Sequence, residues 1–323
     1  MSLSVVVPVY NERDNLPLLY GGIVDALTPF DPNFEIIFVD DGSNDGSAVA
    51  MESLAITDLR VKVIQFRRNF GQAAALAAGI RHAANEIVIT MDADLQNDPA
   101  DIPMLVKALG KDYDAVCGWR HDREDAFISR TVPSVLANKI IAWATRVAVH
   151  DTGCSLRAYR REVIQEINLY GEMHRFLPAL INWIGGRVTE VKVQHHPRRH
   201  GVSKYGIQRT LKVVLDLMTV KFLRDYSTKP NYIFGGFGLL NLILSAFCFF
   251  IVAYRTFVLR NPAATPMVFF MVIFFVVGFL SIFVGLLAEL VISSTYETQK
   301  KAPYHIKTMV NFSDAQRRIV WKD

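Results

Sequence analysis

The sequence predicts an α/β protein: a mainly parallel sheet with helices on both faces, followed by an amphipathic juxtamembrane stretch and a hairpin of two membrane-spanning helices. Three observations carry this. Short β-branched runs alternate with stretches of helical period through the first 120 or so residues, the pattern of a parallel sheet. Polar and acidic clusters follow several of those runs directly. Two runs near the C-terminus, Ile233–Tyr254 and Met267–Ala288, each hold 22 residues without a charge.

Taken in order, Leu3–Val7, Glu35–Val39, Val61–Phe66, Glu86–Met91 and Asp114–Cys117 read as buried strands. Leu16–Leu27, Ser47–Ala55, Gln72–Ala84 and Ile102–Leu109 read as the helices between them. Of 323 residues, 51% are hydrophobic and 20% charged, which excludes a disordered chain. The three cysteines form neither a disulfide framework nor a CxxC zinc pattern. A net charge of +4 gives no basis for nucleic-acid binding.

Each charge-free run spans roughly 33 Å as a helix, enough for a hydrocarbon core of about 30 Å. Core helices are shorter and keep a polar stripe, so membrane spans are expected, with Asn241 and Ser245 facing another helix. Lys221, Arg224 and Lys229 precede the first run and Lys300 and Lys301 follow the second, while the short linker holds only Arg255 and Arg260. The positive-inside rule then places both ends in the cytoplasm. Met1–Pro8 has no basic n-region and does not read as a signal peptide. The expected organisation is a cytoplasmic α/β domain over 1–205, an amphipathic basic segment over 206–229, membrane helices over 230–255 and 266–292, and a cytoplasmic tail over 293–323. In the 206–229 segment Ile207, Leu211, Val214, Leu215, Met218 and Phe222 recur at helical spacing among basic residues, as in a helix lying in the headgroup layer.

In open α/β sheets ligands bind beyond the carboxyl ends of the strands. Pro8-Val9-Tyr10-Asn11-Glu12 follows the first strand, Asp40-Asp41-Gly42-Ser43 the second and Asp92-Ala93-Asp94-Leu95-Gln96 the fourth. Neither GxGxxG nor GxxxxGK[ST] is present, so phosphates would be handled by a metal and cations rather than a glycine cradle. Asp92, Asp94 and the Gln96 carbonyl supply the hard oxygens that Mg²⁺ or Mn²⁺ takes. Arg120, Arg130, Arg198, Arg199 and Lys204 could meet phosphates, and Gly201 and Ser203 suit close backbone approach and a hydroxyl contact. His195, His196 and His200 suggest no fourth ligand and read as solvated loop side chains, not a zinc site.

VVVPVYNE, VDDGSNDGS, RRNFGQAAAL and MDADLQNDP, in this order and spacing, resemble family 2 inverting glycosyltransferases with the GT-A fold. The resemblance covers Leu3 to Tyr205. DTGCSLRAYRR and RRHGVSKY are similar to the polyprenyl-phosphate branch, the dolichyl-phosphate mannose synthase and bactoprenol glucosyltransferase group, and the QxxRW of processive synthases is missing. Where many relatives have Gly-Phe-Arg, this chain has Ser155-Leu156-Arg157, keeping the arginine and dropping the aromatic. The resemblance implies that Pro8, Tyr10, Glu12, Asp40 and Asp41 hold the nucleoside and that Asp92 lines the ribose and sugar side. It implies Asp94 and Gln96 as metal ligands, Arg120 and Arg130 on the phosphates, and Arg198 and Lys204 on the diphosphate and acceptor phosphate. Asp151, Arg157 and Ser203 are candidates for positioning the acceptor.

The expected reaction is inverting transfer of a hexose, glucose first, from UDP-sugar to undecaprenyl phosphate at the cytoplasmic face of the inner (plasma) membrane. The alternatives are an aminoarabinose-type or mannose donor, a soluble acceptor, or a non-catalytic sugar-nucleotide sensor. A divalent metal and a homo-oligomer are expected, and a flippase partner follows from the resemblance alone.

Overall fold

A computed structural model of the chain describes residues 2–120, 149–167, 169, 173–197, 231–258, 260, 265–298 and 304–317. Arg130, Arg198, Ser203, Lys204 and the whole 206–229 segment lie outside the described residues. The chain divides into two units: Met1–Val220 with Lys301–Asp323, and Lys221–Lys300.

The first unit is built on an eight-stranded sheet, ordered β7-β5-β6-β4-β1-β2-β3-β8. Strands β1 (Leu3–Val9), β2 (Phe34–Asp40), β3 (Val61–Phe66) and β4 (Ile87–Thr90) run parallel, and their near-continuous apolar runs are buried on both faces. Helices α1 (Leu16–Leu27), α2 (Ser47–Thr57), α3 (Gln72–His82) and α4 (Ile102–Leu109) connect and cover them. Leu16, Leu19, Ile23 and Leu27 of α1 recur at helical spacing and are all fully buried. Helix α3 is rich in alanine because it lies close on the sheet. A Cβ on its Gly79 would stand 2.2 Å from Cγ1 of Val6.

Beyond β4 the sheet departs from a simple parallel order. β5 (Ala115–Arg120) pairs parallel with β7 (Val188–Val193), and β6 (Arg157–Arg160) lies antiparallel between β4 and β5. Helices α5 (Arg161–Ile164) and α6 (Leu177–Trp183) join these strands. At the other edge, β8 (Ile306–Val310) pairs antiparallel with β3, and α9 (Asp314–Arg317) follows it. The stretch from 293 on, expected as a tail, thus supplies a strand of the sheet. The physical reason is that β3 offers an unpaired row of backbone groups, which β8 satisfies.

The second unit holds α7 (Asn231–Phe257) and α8 (Thr265–Thr298), whose most apolar 18-residue stretches, within Phe234–Phe257 and Pro266–Ala288, have mean hydropathies of 2.3 and 3.0. Helix α8 runs past residue 292, where the sequence reading ended it. The helices touch at glycines: a Cβ on Gly238 would stand 2.7 Å from the Gly278 carbonyl oxygen, and one on Gly278 2.8 Å from that of Gly238. Ser245 Oγ donates to the Met271 carbonyl at 2.8 Å, and Asn241 Nδ2 to that of Phe237 one turn back, also at 2.8 Å. Small residues and hydrogen bonds are what hold helices together where lipid removes the hydrophobic drive. Phe250 and Phe269, by contrast, are 69% and 66% exposed. A pair of core helices would bury such side chains; lipid-facing ones do not.

Candidate active site

Strand order places the site. From β1 the chain winds to β2 and β3 on one side and then returns to β4 on the other, so the crossovers leave a crevice beyond the carboxyl ends of β1 and β4. A cleft of about 200 Å³ lies there, walled by Pro8 near the end of β1, Tyr10 and Glu12 after it, Asp41 after β2, Asn69, Gly71 and Gln72 at the start of α3, and Asp92 and Asp94 after β4. It brings together Pro8, Tyr10, Glu12, Asp41, Asp92 and Asp94 of the residues singled out from sequence. Asp40, Gln96, Arg120, Asp151 and Arg157 are not part of its wall.

Two of the segments that form the cleft make left-handed turns on residues other than glycine. Asn11 has φ 56° and Leu95 φ 61°. Asparagine tolerates that region, but leucine there costs of order 1–2 kcal/mol. Leu95 packs on the core, and the turn lets Asp94 Oδ1 accept the Gln96 amide at 3.2 Å.

Asp41 is nearly fully buried. Its Oδ1 accepts the Phe70 amide at 2.7 Å and its Oδ2 the Gly71 amide at 2.9 Å, so it holds the loop that opens α3. Burial pushes its carboxyl up, the two amides pull it down, and Asp40 adds to the rise. Asp40 instead accepts the Ser43 amide at 3.0 Å in the turn after β2. That turn needs Gly42: its φ is +74°, and a Cβ would stand 2.6 Å from the Arg68 carbonyl carbon. Asp92 accepts from Gln72 Nε2 at 2.7 Å. Desolvation, with the Asp94 charge beside it, pushes its carboxyl up to about 6. The cleft therefore holds two neighbouring carboxylates that repel one another, an arrangement a divalent cation relieves.

Arg120 is turned to another partner. Its Nε and Nη2 meet Oδ2 and Oδ1 of Asp151 at 2.7 and 2.9 Å in a bidentate pair, with both side chains largely buried. Asp151 also accepts the Gly153 amide at 3.0 Å. Arg157 is 3% exposed and donates to the carbonyls of Thr152 at 2.6 Å and His174 at 3.0 Å. Its guanidinium ties backbone segments together.

His195 and His196 are part-exposed loop side chains, as the sequence suggests, and they also make specific contacts. The Gln96 carbonyl accepts the His196 amide at 2.9 Å and lies 3.1 Å from His195 Nδ1, and His196 Nε2 lies 3.1 Å from Asp98 Oδ2. Asn97 and His195 form an isolated antiparallel bridge. The loop carrying Asp94 is thereby clamped to the segment that leads into residue 198. Sequence reasoning also gave no role to Asn69, Gly71 and Gln72, although RRNFGQ stood out as a motif; the signal was its place before the first turn of α3.

The fold and the acidic cleft define a glycosyltransferase domain of GT-A type. The family model described as Glycosyl transferase family 2 matches residues 4–168. The chain belongs to that family, in its polyprenyl-phosphate branch. It is 40% identical over 314 residues to the dodecaprenyl-phosphate galacturonate synthase of Rhizobium johnstonii, covering 95% of this chain and 92% of the relative. It is 36% identical over 312 residues to the undecaprenyl-phosphate 4-deoxy-4-formamido-L-arabinose transferase of Edwardsiella ictaluri, covering 95% and 94%. Among solved structures it resembles mannosyl-3-phosphoglycerate synthase from Rubrobacter xylanophilus, with TM-score 0.56, 16% identity, and 70% and 75% of the two chains covered. It also resembles glucosyl-3-phosphoglycerate synthase from Mycobacterium tuberculosis in complex with Mn²⁺, UDP and phosphoglyceric acid, with TM-score 0.53, 17% identity, and 69% and 78% covered. These structural likenesses speak to the fold.

Proposed function

We propose that the protein transfers a sugar from a UDP-sugar to a polyprenyl phosphate, and that the sugar is a galacturonate or a 4-amino-arabinose derivative rather than glucose. The donor choice is supported by relatives that match nearly end to end, whose names give galacturonate and formamido-arabinose. The observation that carries the chemistry is the cleft at the switch point, where Asp92 and Asp94 face the opening framed by Tyr10, Glu12 and Asp41.

The acidic pair fits a divalent cation: Asp92 and Asp94 line one cleft, and desolvation, with the Asp94 charge beside it, raises the Asp92 carboxyl. Asp94 and Asp92 would hold the ion, and a glycosyltransferase crystallised with Mn²⁺ and UDP-glucose shares the fold. When bound, such an ion neutralises charge on the departing diphosphate. The β1 and α3 segments receive the nucleoside, with Asp41 fixing the latter. A phosphate monoester has a second pKa near 6 and is largely dianionic at neutral pH, so the lipid phosphate needs no strong base. Its oxygen bonds to the anomeric carbon as the bond to the β-phosphate oxygen breaks, and UDP leaves. Positioning and charge stabilisation account for the catalysis. Arg198 and Lys204 are proposed to meet the phosphates, supported by the clamp between the Asp94 loop and the chain entering residue 198.

The C-terminal strand supports a cytoplasmic placement of both termini. Strand β8 follows the two apolar helices and pairs within the sheet that precedes them. An even number of crossings brings the chain back to the same side, as the flanking basic residues require.

The test uses the full chain in detergent or nanodiscs with Mn²⁺ or Mg²⁺, undecaprenyl phosphate, and labelled UDP-galacturonate, UDP-formamido-arabinose or UDP-glucose. Label is expected in the organic phase with one of the first two donors and only when lipid is present. Glucose as the preferred donor overturns the sugar assignment. Transfer independent of lipid overturns the acceptor.

A further inference from the structure

The cleft wall from Phe66 to Gly71 has no helix or strand of its own after β3 ends, yet it presents Asn69 and Gly71 to the opening. From the front it is held by Asp41 and by the close approach of Gly42. From behind it rests on residues that follow the second membrane helix. Tyr304 stacks on Phe66 with ring centroids 5.0 Å apart and planes 14° from parallel. Phe66 meets Phe70 edge-on at 5.7 Å, and the His305 ring lies 5.9 Å from Phe70. The Arg67 amide donates to the His305 carbonyl at 3.0 Å. The β3–β8 register shifts between Gln65 and Phe66, where regular pairing gives way to this aromatic packing.

We propose that Tyr304 and His305 are positioning residues for the donor: they press Phe66–Gly71 against Asp41 and so set the affinity for the nucleoside diphosphate. The proposal rests on the reading of the cleft as a sugar-nucleotide site. It makes the return strand part of the binding machinery as well as an edge of the sheet. Asn311 provides the contrast. At the far end of the same strand pair, its Nδ2 donates to the carbonyls of Ala55 at 2.6 Å and Val61 at 2.9 Å, remote from the residues that line the cleft.

The experiment compares the full chain with Tyr304→Ala, Tyr304→Phe, His305→Ala and Asn311→Ala. It measures UDP affinity with Mn²⁺, the acceptor KM, the melting temperature, and hydrogen exchange at the Phe70 and Gly71 amides without ligand. Tyr304→Ala is expected to weaken UDP about tenfold and speed exchange at both amides by a similar factor, with the acceptor KM within about twofold of the parent. Tyr304→Phe keeps the ring and restores both. Asn311→Ala lowers the melting temperature and moves neither. If Tyr304→Ala does not fold, His305→Ala carries the same readings. Unchanged exchange at Phe70 and Gly71 in the alanine variants overturns the proposal, as does equal loss of UDP affinity in Asn311→Ala. A parent chain that binds no UDP while the exchange behaves as expected overturns the nucleotide reading instead, and the donor role with it.

Discussion

Replacing Asp92 by Asn should stabilise the metal-free protein while destroying its function. In the folded chain the Asp92 carboxyl is pushed from an ordinary 3.8 to about 6, first by desolvation and then by the Asp94 charge. A group whose folded pKa is raised binds its proton more readily folded than unfolded, so its ionisation costs stability as pH rises. The penalty is absent below pH 3.8, grows between 3.8 and 6, and is complete above 6. At 1.36 kcal/mol per pKa unit it reaches about 3 kcal/mol at pH 7.5 and about half that at pH 5. Asparagine keeps an oxygen for Gln72 Nε2 and carries no charge. For a domain of this size about 3 kcal/mol raises Tm by several degrees, at most about 10 °C. The assay is thermal unfolding in EDTA at pH 7.5 and pH 5, repeated with Mn²⁺ and UDP. The variant should melt higher than the parent at pH 7.5, lose about half its advantage at pH 5, and gain nothing from Mn²⁺ and UDP. A variant that melts at or below the parent at pH 7.5, or whose advantage is the same at both pH values, refutes the reasoning.

Three further outcomes follow from the same geometry. Asp94→Asn should cut turnover about 100-fold or more with an intact melting transition, and near-parent activity would refute its metal role. Gly42→Ala forces a left-handed alanine against Arg68, which should cost about 1–3 kcal/mol and weaken UDP binding by displacing the Asn69 wall; unchanged affinity in a calorimetric titration would count against it. Gly278→Val should separate α7 from α8 by filling the space beside the Gly238 carbonyl, seen as faster proteolysis within the hairpin, while UDP binding stays at the parent level.

The parallel half of the sheet was legible because its cause is local. In a strand such as Glu35–Val39 the run Ile36–Val39 is apolar and mostly β-branched, and acidic residues stand where β2 and β4 end. Asp92 and Asp94 were found by that position, by their spacing as hard oxygen donors and by the MDADLQNDP motif. The particular work of Asp41 was not, because the amides it accepts belong to a loop 29 and 30 residues away. Arg120 was expected on the phosphates and Arg157 at the acceptor; the fold shows Arg120 paired with Asp151 and Arg157 donating to the carbonyls of Thr152 and His174. His195 and His196 act through the Gln96 carbonyl and Asp98, a relation no spacing encodes. Strand β7 carries an alternating VTEVKV that could have been read. Strand β8 is five residues long, follows an apolar helix, and finds its partner far away in the chain, so nothing nearby announces it.

The pairing of β3 with β8 also orders the protein's birth. Gln65 and Thr308, bonded side chain to side chain, are 243 residues apart. At about 5–20 residues per second a ribosome needs roughly 12–50 s to travel between them. Throughout that interval the nascent sheet shows a naked edge, and both apolar helices emerge before the strand that covers it. The last strand of the sheet is therefore made only after both apolar helices, and the edge of β3 stays open until they have been synthesised.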